Sequence, residues 1–260
     1  KNYEGRFDGP MPLRRGLEKS KNLVSIRVMQ AIGPEYAQEF VRKFGFPPDK
    51  HPANLPMALG AGSVTPWQML GGYTVFANGG YRVQPYLIER VTDVDGRTLM
   101  RTTNRTAGDE SIRAIDDRNA YIMQSLLHGV ATRGTAARAS RMLKRGDIGG
   151  KTGTTNNSHD AWFCGYAGGL VAVSWMGYDN PKPLGARETG GGLALPVWID
   201  FMKAELQGVP EYTRVMPSSV VERDGEVFYR DPVKGAAGAF SDLLMSGRDE
   251  ASELVRDQIF

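Results

Sequence analysis

Residues Gly149–Tyr178 read GGKTGTTNNSHDAWFCGYAGGLVAVSWMGY. The second half decides the architecture around it. Two short apolar runs, AWFCGYA and LVAVSWM, flank Gly168-Gly169. They are rich in aromatic and β-branched residues and too short for helices. They are read as buried strands joined by a tight hairpin turn. The first half, GGKTGTT, admits two chemistries: a lysine that holds phosphate, or a lysine that faces a serine.

The phosphate reading fails on one position. A phosphate loop needs glycine, four residues, then Gly-Lys-Ser/Thr. With Gly150-Lys151-Thr152 as its end, the first glycine belongs at residue 145, which is Arg145; Gly146 is one place late. The context fails too. Such a loop opens a helix whose N-terminus meets the anion. Here the lysine is followed by the polar TTNNSHD and then by the hairpin.

Outward from this segment, the helical signals are local and specific. In PMPLRRGLEKSKNLVSIRVMQAIG, apolar residues recur at helical spacing on either side of a polar EKSKN break. Two helices with a short polar connection are expected. GPEYAQEFVRKFGF predicts an amphipathic helix closed by Gly45. TPWQMLGGYTVFANGG predicts a helix with a Thr65/Gln68 capping box and Pro66 at the first helical position. DDRNAYIMQSLLHGVATRG predicts a long helix capped by Asp116 or Asp117 and stopped at Gly134. His128 lies within it as a structural residue. TGGGLALPVWIDFMKAEL predicts another helix, three glycines ahead of it and Pro196 in its first turn. Asp95-Gly96 and Asp224-Gly225 each separate strand-like runs and predict hairpins. Helices, then strands, then a helix indicate an α+β domain with a sheet backed by helices. Residues 1–207 are expected to form that domain. Residues 208–260 are expected to form a C-terminal appendage, partly flexible around VKGAAGAFSD.

The bulk composition narrows the chemistry. A net charge of +3 over 260 residues, with Lys and Arg scattered, does not indicate nucleic acid. Cys164 is the single cysteine, so no intrachain disulfide or cysteine-based metal site can form. The three histidines, His51, His128 and His159, show no ligand spacing. No metal and no cofactor are expected. No run approaches the ~20 apolar residues of a membrane span.

The acyl-transfer reading has two motif elements. Lys151-Thr152-Gly153, extended by Thr154, matches the Lys-Thr-Gly element of penicillin-interacting serine enzymes, and Ser20-Lys21-Asn22 matches the Ser-x-Asn element with Lys in the middle. Ser20 also admits a bland reading, as the cap of a helix starting near Asn22. LPMALGAGSVTPWQMLGGYTVFANGGYRVQPYLIERV, GGKTGTTNNSHDAWFCGY and ETGGGLALPVWIDFM surround these elements. Together they resemble the transpeptidase domain of bacterial class A penicillin-binding proteins, of the 1A type. The resemblance covers roughly residues 2–206 and implies the penicillin-binding/serine β-lactamase-like fold: an antiparallel sheet with helices on both sides, plus a helical region.

What the resemblance implies is specific. The reaction is D,D-transpeptidation through an acyl-serine, cross-linking peptidoglycan stem peptides and trapped by β-lactams. Lys151 adds positive potential to the cleft. Ser20 stands in the proton path to the leaving amine, and the Asn22 amide anchors the substrate backbone. The Thr152 and Thr154 hydroxyls bind the substrate carboxylate. The Thr154 backbone N–H forms one arm of the oxyanion hole, and Gly153 lets the acyl chain lie close. No serine of the chain has lysine three residues on. The nucleophile is therefore expected on an upstream segment or a separate chain, the fold incomplete at its N-terminus, and the chain inactive alone. A bifunctional enzyme is implied, with a glycosyltransferase and a membrane anchor upstream, on the periplasmic side of the bacterial inner membrane. A serine β-lactamase-like hydrolase and a non-catalytic penicillin sensor are the alternatives.

Overall fold

The computed structural model describes residues 8–186 and 188–230. Seven α-helices and three small sheets build the described part. Helix α1 (Leu13–Glu18) and α2 (Asn22–Ile32) are separate, as the polar break predicts. Helix α3 (Pro34–Val41) follows Gly33, whose φ of 85° turns the chain. Gly45 closes that region in the left-handed conformation. Helix α4 (Pro66–Ala77) carries the expected capping box: Gln68 N donates to Thr65 Oγ1, and Thr65 N donates to Gln68 Oε1. Strands β1 (Arg90–Thr92) and β2 (Thr98–Arg101) form an exposed hairpin. Helix α5 (Asp117–Thr132) starts at Asp116, whose carboxylate accepts from Asn119 N. Helix α6 (Ala137–Leu143) follows after a tight turn.

The central sheet is antiparallel, in the order β3 (Gly149–Thr154), β4 (Ala161–Ala167), β5 (Leu170–Met176). Gly168 and Gly169 take φ of 58° and 80°, the two left-handed positions of a tight hairpin turn. The register pairs Lys151 with Cys164 and Cys164 with Val173. Side chains alternate between faces, so each face meets its own helix. Phe163 is fully buried against Trp198 of α7 (Leu195–Glu205), ring centroids 4.9 Å apart. On the opposite face, Cys164 and Tyr166 lie beside Tyr73 of α4. Helix α5 packs along β3. Helices therefore cover both sides of an antiparallel sheet, the α+β arrangement the sequence implies. Among the described residues β5 has no strand on its far side.

One element differs from the sequence expectation. The three glycines do not merely precede α7; Gly190–Ala194 form a π-helical turn leading into it. A Cβ on Gly190 would sit 2.3 Å from the Gly153 carbonyl oxygen and 2.4 Å from that of Trp162. Close approach to the sheet selects glycine there.

Residues 209–230 lie against this body. Arg145 pairs with Asp147 and donates to the carbonyls of Val209 and Pro210. Asp147 also accepts from Gly168 N and Tyr212 N. The hairpin of β6 (Val220–Arg223) and β7 (Glu226–Tyr229) is tied to α1 by Arg14, which bonds Glu226 at 2.7 Å. Residues 231–260, including the VKGAAGAFSD stretch, lie outside the described residues, as do residues 1–7.

Candidate active site

A cleft of about 1190 Å³ opens between the α1–α2 connection and the outer edge of β3. Lys19, Ser20, Lys21 and Asn22 line one side; Thr152 and Thr154 line the other. Residues 155–158 contribute to its far rim, with Pro183, Gly185, Ala186, Thr189 and Gly191.

The two motif elements meet across this cleft. Lys151 Nζ donates to Ser20 Oγ at 2.8 Å, across 131 positions of sequence, and to the Thr152 carbonyl at 3.0 Å. Ser20 is no helix cap: α2 begins after Lys21, and no side chain caps it. Ser20 instead holds φ at 52°, a left-handed conformation that a residue with a Cβ adopts at a cost. Burial pushes the Lys151 ammonium down to a pKa of about 8. At neutral pH it remains mainly charged.

With Lys151 donating, one lone pair of Ser20 Oγ is occupied and its own O–H stays available to donate. Asn22 opens α2 at the cleft wall. Lys21, which also lines the cleft, is engaged by an ion pair. Its side chain is nearly buried and pairs with Asp8 at 2.5 Å.

The hydroxyls on β3 are not bare. Thr152 Oγ1 lies 2.7 Å from Thr135 Oγ1, and Thr154 Oγ1 accepts from Gly190 N at 3.0 Å. Each hydroxyl has one donor and two acceptor positions, so both retain capacity for a ligand. Thr155 N donates inward, to the Asp160 carbonyl, at the end of the β3–β4 ladder. Strand alternation then turns the Thr154 N–H toward the free edge and the cleft. Gly153 lies under Gly190, which approaches both its N and its carbonyl.

Some neighbours carry no sequence signature. The Glu18 carboxylate, almost fully buried behind Ser20, accepts two bonds from Arg133, at 3.1 and 2.7 Å. The Glu18 carbonyl accepts from Thr135 N at 3.1 Å. His128 serves the frame, with Nδ1 3.1 Å from the Ile148 carbonyl oxygen. Phe163 and Tyr166 are buried in the sheet, Trp162 partly so. None of the three lines the cleft.

The family model "Penicillin binding protein transpeptidase domain" matches residues 1–203. The chain belongs to the penicillin-binding protein transpeptidase family. Within that family, penicillin-binding protein 1A of Neisseria lactamica is 46% identical, over 89% of this chain and 29% of that protein. Penicillin-binding protein 1A of Pseudomonas aeruginosa is 40% identical, over 94% of this chain and 35% of that protein. The crystal structure of penicillin-binding protein 1A from Haemophilus influenzae superposes with a TM-score of 0.80 at 36% identity, covering 86% of this chain and 38% of that one. The chain thus spans about a third of the length of the penicillin-binding protein relatives it matches.

Proposed function

We propose that the chain forms two facing walls of the active site of a serine D,D-transpeptidase in a peptidoglycan synthase. The contact that carries this reading is Lys151 Nζ to Ser20 Oγ at 2.8 Å. It joins the Ser-x-Asn and Lys-Thr-Gly elements in one cleft, in a chain of this family. The substrates are peptidoglycan stem peptides ending in D-Ala-D-Ala, and β-lactams acylate the same site. No cofactor takes part. The work is done on the periplasmic side of the bacterial inner membrane.

The 260 residues contain no serine followed three positions later by lysine. The reading places the nucleophilic serine outside them, on another segment of the protein. That serine gives its proton to a base outside these residues as it attacks the penultimate D-Ala carbonyl, and takes it back when the acyl group is later transferred; the terminal D-Ala leaves through its amine. Ser20 donates its proton to the leaving nitrogen while Lys151, with a pKa of about 8, returns a proton to Ser20 Oγ. The acceptor amine of a second stem peptide then takes the acyl group, its proton leaving by the reverse route. Asn22 holds the substrate backbone, and the Thr152 and Thr154 hydroxyls hold its carboxylate. The Thr154 N–H stabilises the oxyanion, a donor typically worth roughly 3 kcal/mol in the transition state.

Fluorescent penicillin tests the reading. The full-length protein is expected to take a covalent label at a serine outside these residues, and the 260-residue chain alone to take none. A full-length protein that stays unlabelled sinks the transpeptidase reading. Label on the isolated chain sinks the placement of the nucleophile.

A further inference from the structure

The two walls of the cleft are separate in sequence, and one residue of the α5–α6 turn touches both. Thr135 donates its backbone N–H to the Glu18 carbonyl, two residues before Ser20. Its hydroxyl lies 2.7 Å from Thr152 Oγ1 on β3. The turn packs closely on the Ser20 wall. A Cβ on Gly134 would meet the Glu18 carbonyl oxygen at 2.4 Å and Val130 Cα at 2.8 Å. The Glu18 segment is tied to the same turn, its buried carboxylate accepting from Arg133 at the end of α5. Thr135 itself is exposed to the cleft. Its backbone is thus fixed by one wall while its side chain addresses the other.

We propose that Thr135 is a positioning residue that orients the Thr152 hydroxyl toward the substrate carboxylate and so sets the preference for anionic acyl donors. The proposal rests on the transpeptidase reading and its assignment of Thr152 to the carboxylate. The chemistry is directional. A hydroxyl has one proton to give, and a carboxylate only accepts. If Thr135 donates to Thr152 Oγ1, the Thr152 proton is directed away from Thr135 and toward a bound anion. Without that donor the Thr152 hydroxyl can rotate to other acceptors, and the charge-assisted bond becomes one of several orientations.

The test compares two acyl donors on the full-length protein: a penicillin with its free carboxylate, and the same penicillin as its neutral methyl ester. The quantity read is the ratio of their second-order acylation rates. Thr135→Val keeps the shape and removes the hydroxyl; it is expected to lower that ratio about tenfold, the scale of one hydrogen bond to a charged group. Thr135→Ser keeps a hydroxyl and is expected to hold the ratio within about twofold of wild type. Thr152→Val is expected to lose the same preference, and adding Thr135→Val to it to change the ratio no further. Equal losses on both donors in Thr135→Val, with the ratio unchanged, overturn the proposal and leave Thr135 a structural residue. An additive loss in the double variant also overturns it. Should Thr135→Val fail to fold, a Thr135→Ser variant that loses the preference overturns it, and one that keeps it while Thr152→Val loses it supports it. A wild-type protein acylated by neither donor brings down the transpeptidase reading, and this inference with it.

Discussion

Lys151 Nζ lies 2.8 Å from Ser20 Oγ, and burial holds that ammonium at a pKa of about 8 rather than 10.5. The charged form is present below about pH 8 and lost as pH rises through it. Acylation of the full-length protein by a β-lactam is therefore expected to fall on the alkaline side of pH 8. Lys151→Arg, whose guanidinium stays charged, should lose that limb even though its overall rate drops, because its planar fork does not reproduce a point charge. Lys151→Met should lower acylation by at least about 100-fold, the low end of a general acid–base contribution. The pH profile of the second-order rate checks all three.

Ser20 sits at a φ of 52° with a Cβ. A side chain there costs of the order of 1 kcal/mol, which glycine avoids. Ser20→Gly is expected to leave stability unchanged or raise it by up to about 1 kcal/mol while abolishing the proposed proton path. Ser20→Ala keeps the strain and loses the hydroxyl. Urea unfolding of both variants, beside their penicillin acylation rates, separates strain held for function from a residue needed for folding.

The Glu18–Arg133 pair is asymmetric, with side chains 4% and 54% exposed. Removing Arg133 leaves the buried carboxylate, among the described residues, only the more distant Arg15, at 3.9 Å, whereas removing the charge of Glu18 leaves an arginine free to reach water. Arg133→Ala should cost up to about 3 kcal/mol, Arg15 compensating part of the charge, and Glu18→Gln less. The same order should appear in melting temperatures. A larger loss in Glu18→Gln would show that the carboxylate acts through contacts other than Arg133.

His51 is buried, its imidazole pressed on Gly62 and its Nε2 without a hydrogen-bond partner among the described residues. Desolvation lowers its pKa below 6.5, outweighing the opposing pull of Asp49. The unfolded chain then binds the proton more readily than the folded one. This contribution to stability is intact above pH 6.5 and is lost as pH falls below it. A fall in melting temperature between pH 7.5 and 5 is expected in the wild-type chain, with a shallower slope in His51→Gln. Parallel slopes would assign the acid sensitivity to other groups.

The elements that chain-local chemistry dictates were legible in sequence. Thr65 and Gln68 announce α4 because a capping box is closed within four residues. Gly168-Gly169 announces the β4–β5 turn because that turn needs two left-handed positions. The active-site geometry was legible only as motifs. Whether Ser20 capped a helix or faced Lys151 depends on a contact spanning 131 positions, which no periodicity encodes. Lys21 finds Asp8 in the same way. Thr135, Glu18 and Arg133 fit no spacing rule, since they act through a backbone carbonyl and a turn. The π-helical turn at Gly190 was hidden too, because its cause is the nearby backbone of Gly153 and Trp162.

Strand β5 carries a practical consequence for anyone producing this polypeptide by itself. Its far side pairs with no strand among the described residues. Half-buried Val171, Val173 and Trp175 lie along that strand. A hydrophobic, seven-residue margin with no strand beside it among the described residues is a template for a second chain. Recombinant yield should be limited by concentration-dependent self-association rather than by failure of α7 and the β4–β5 hairpin to form. Dilution, or a lysine introduced midway along β5, should recover more monomer than any additive aimed at the catalytic cleft.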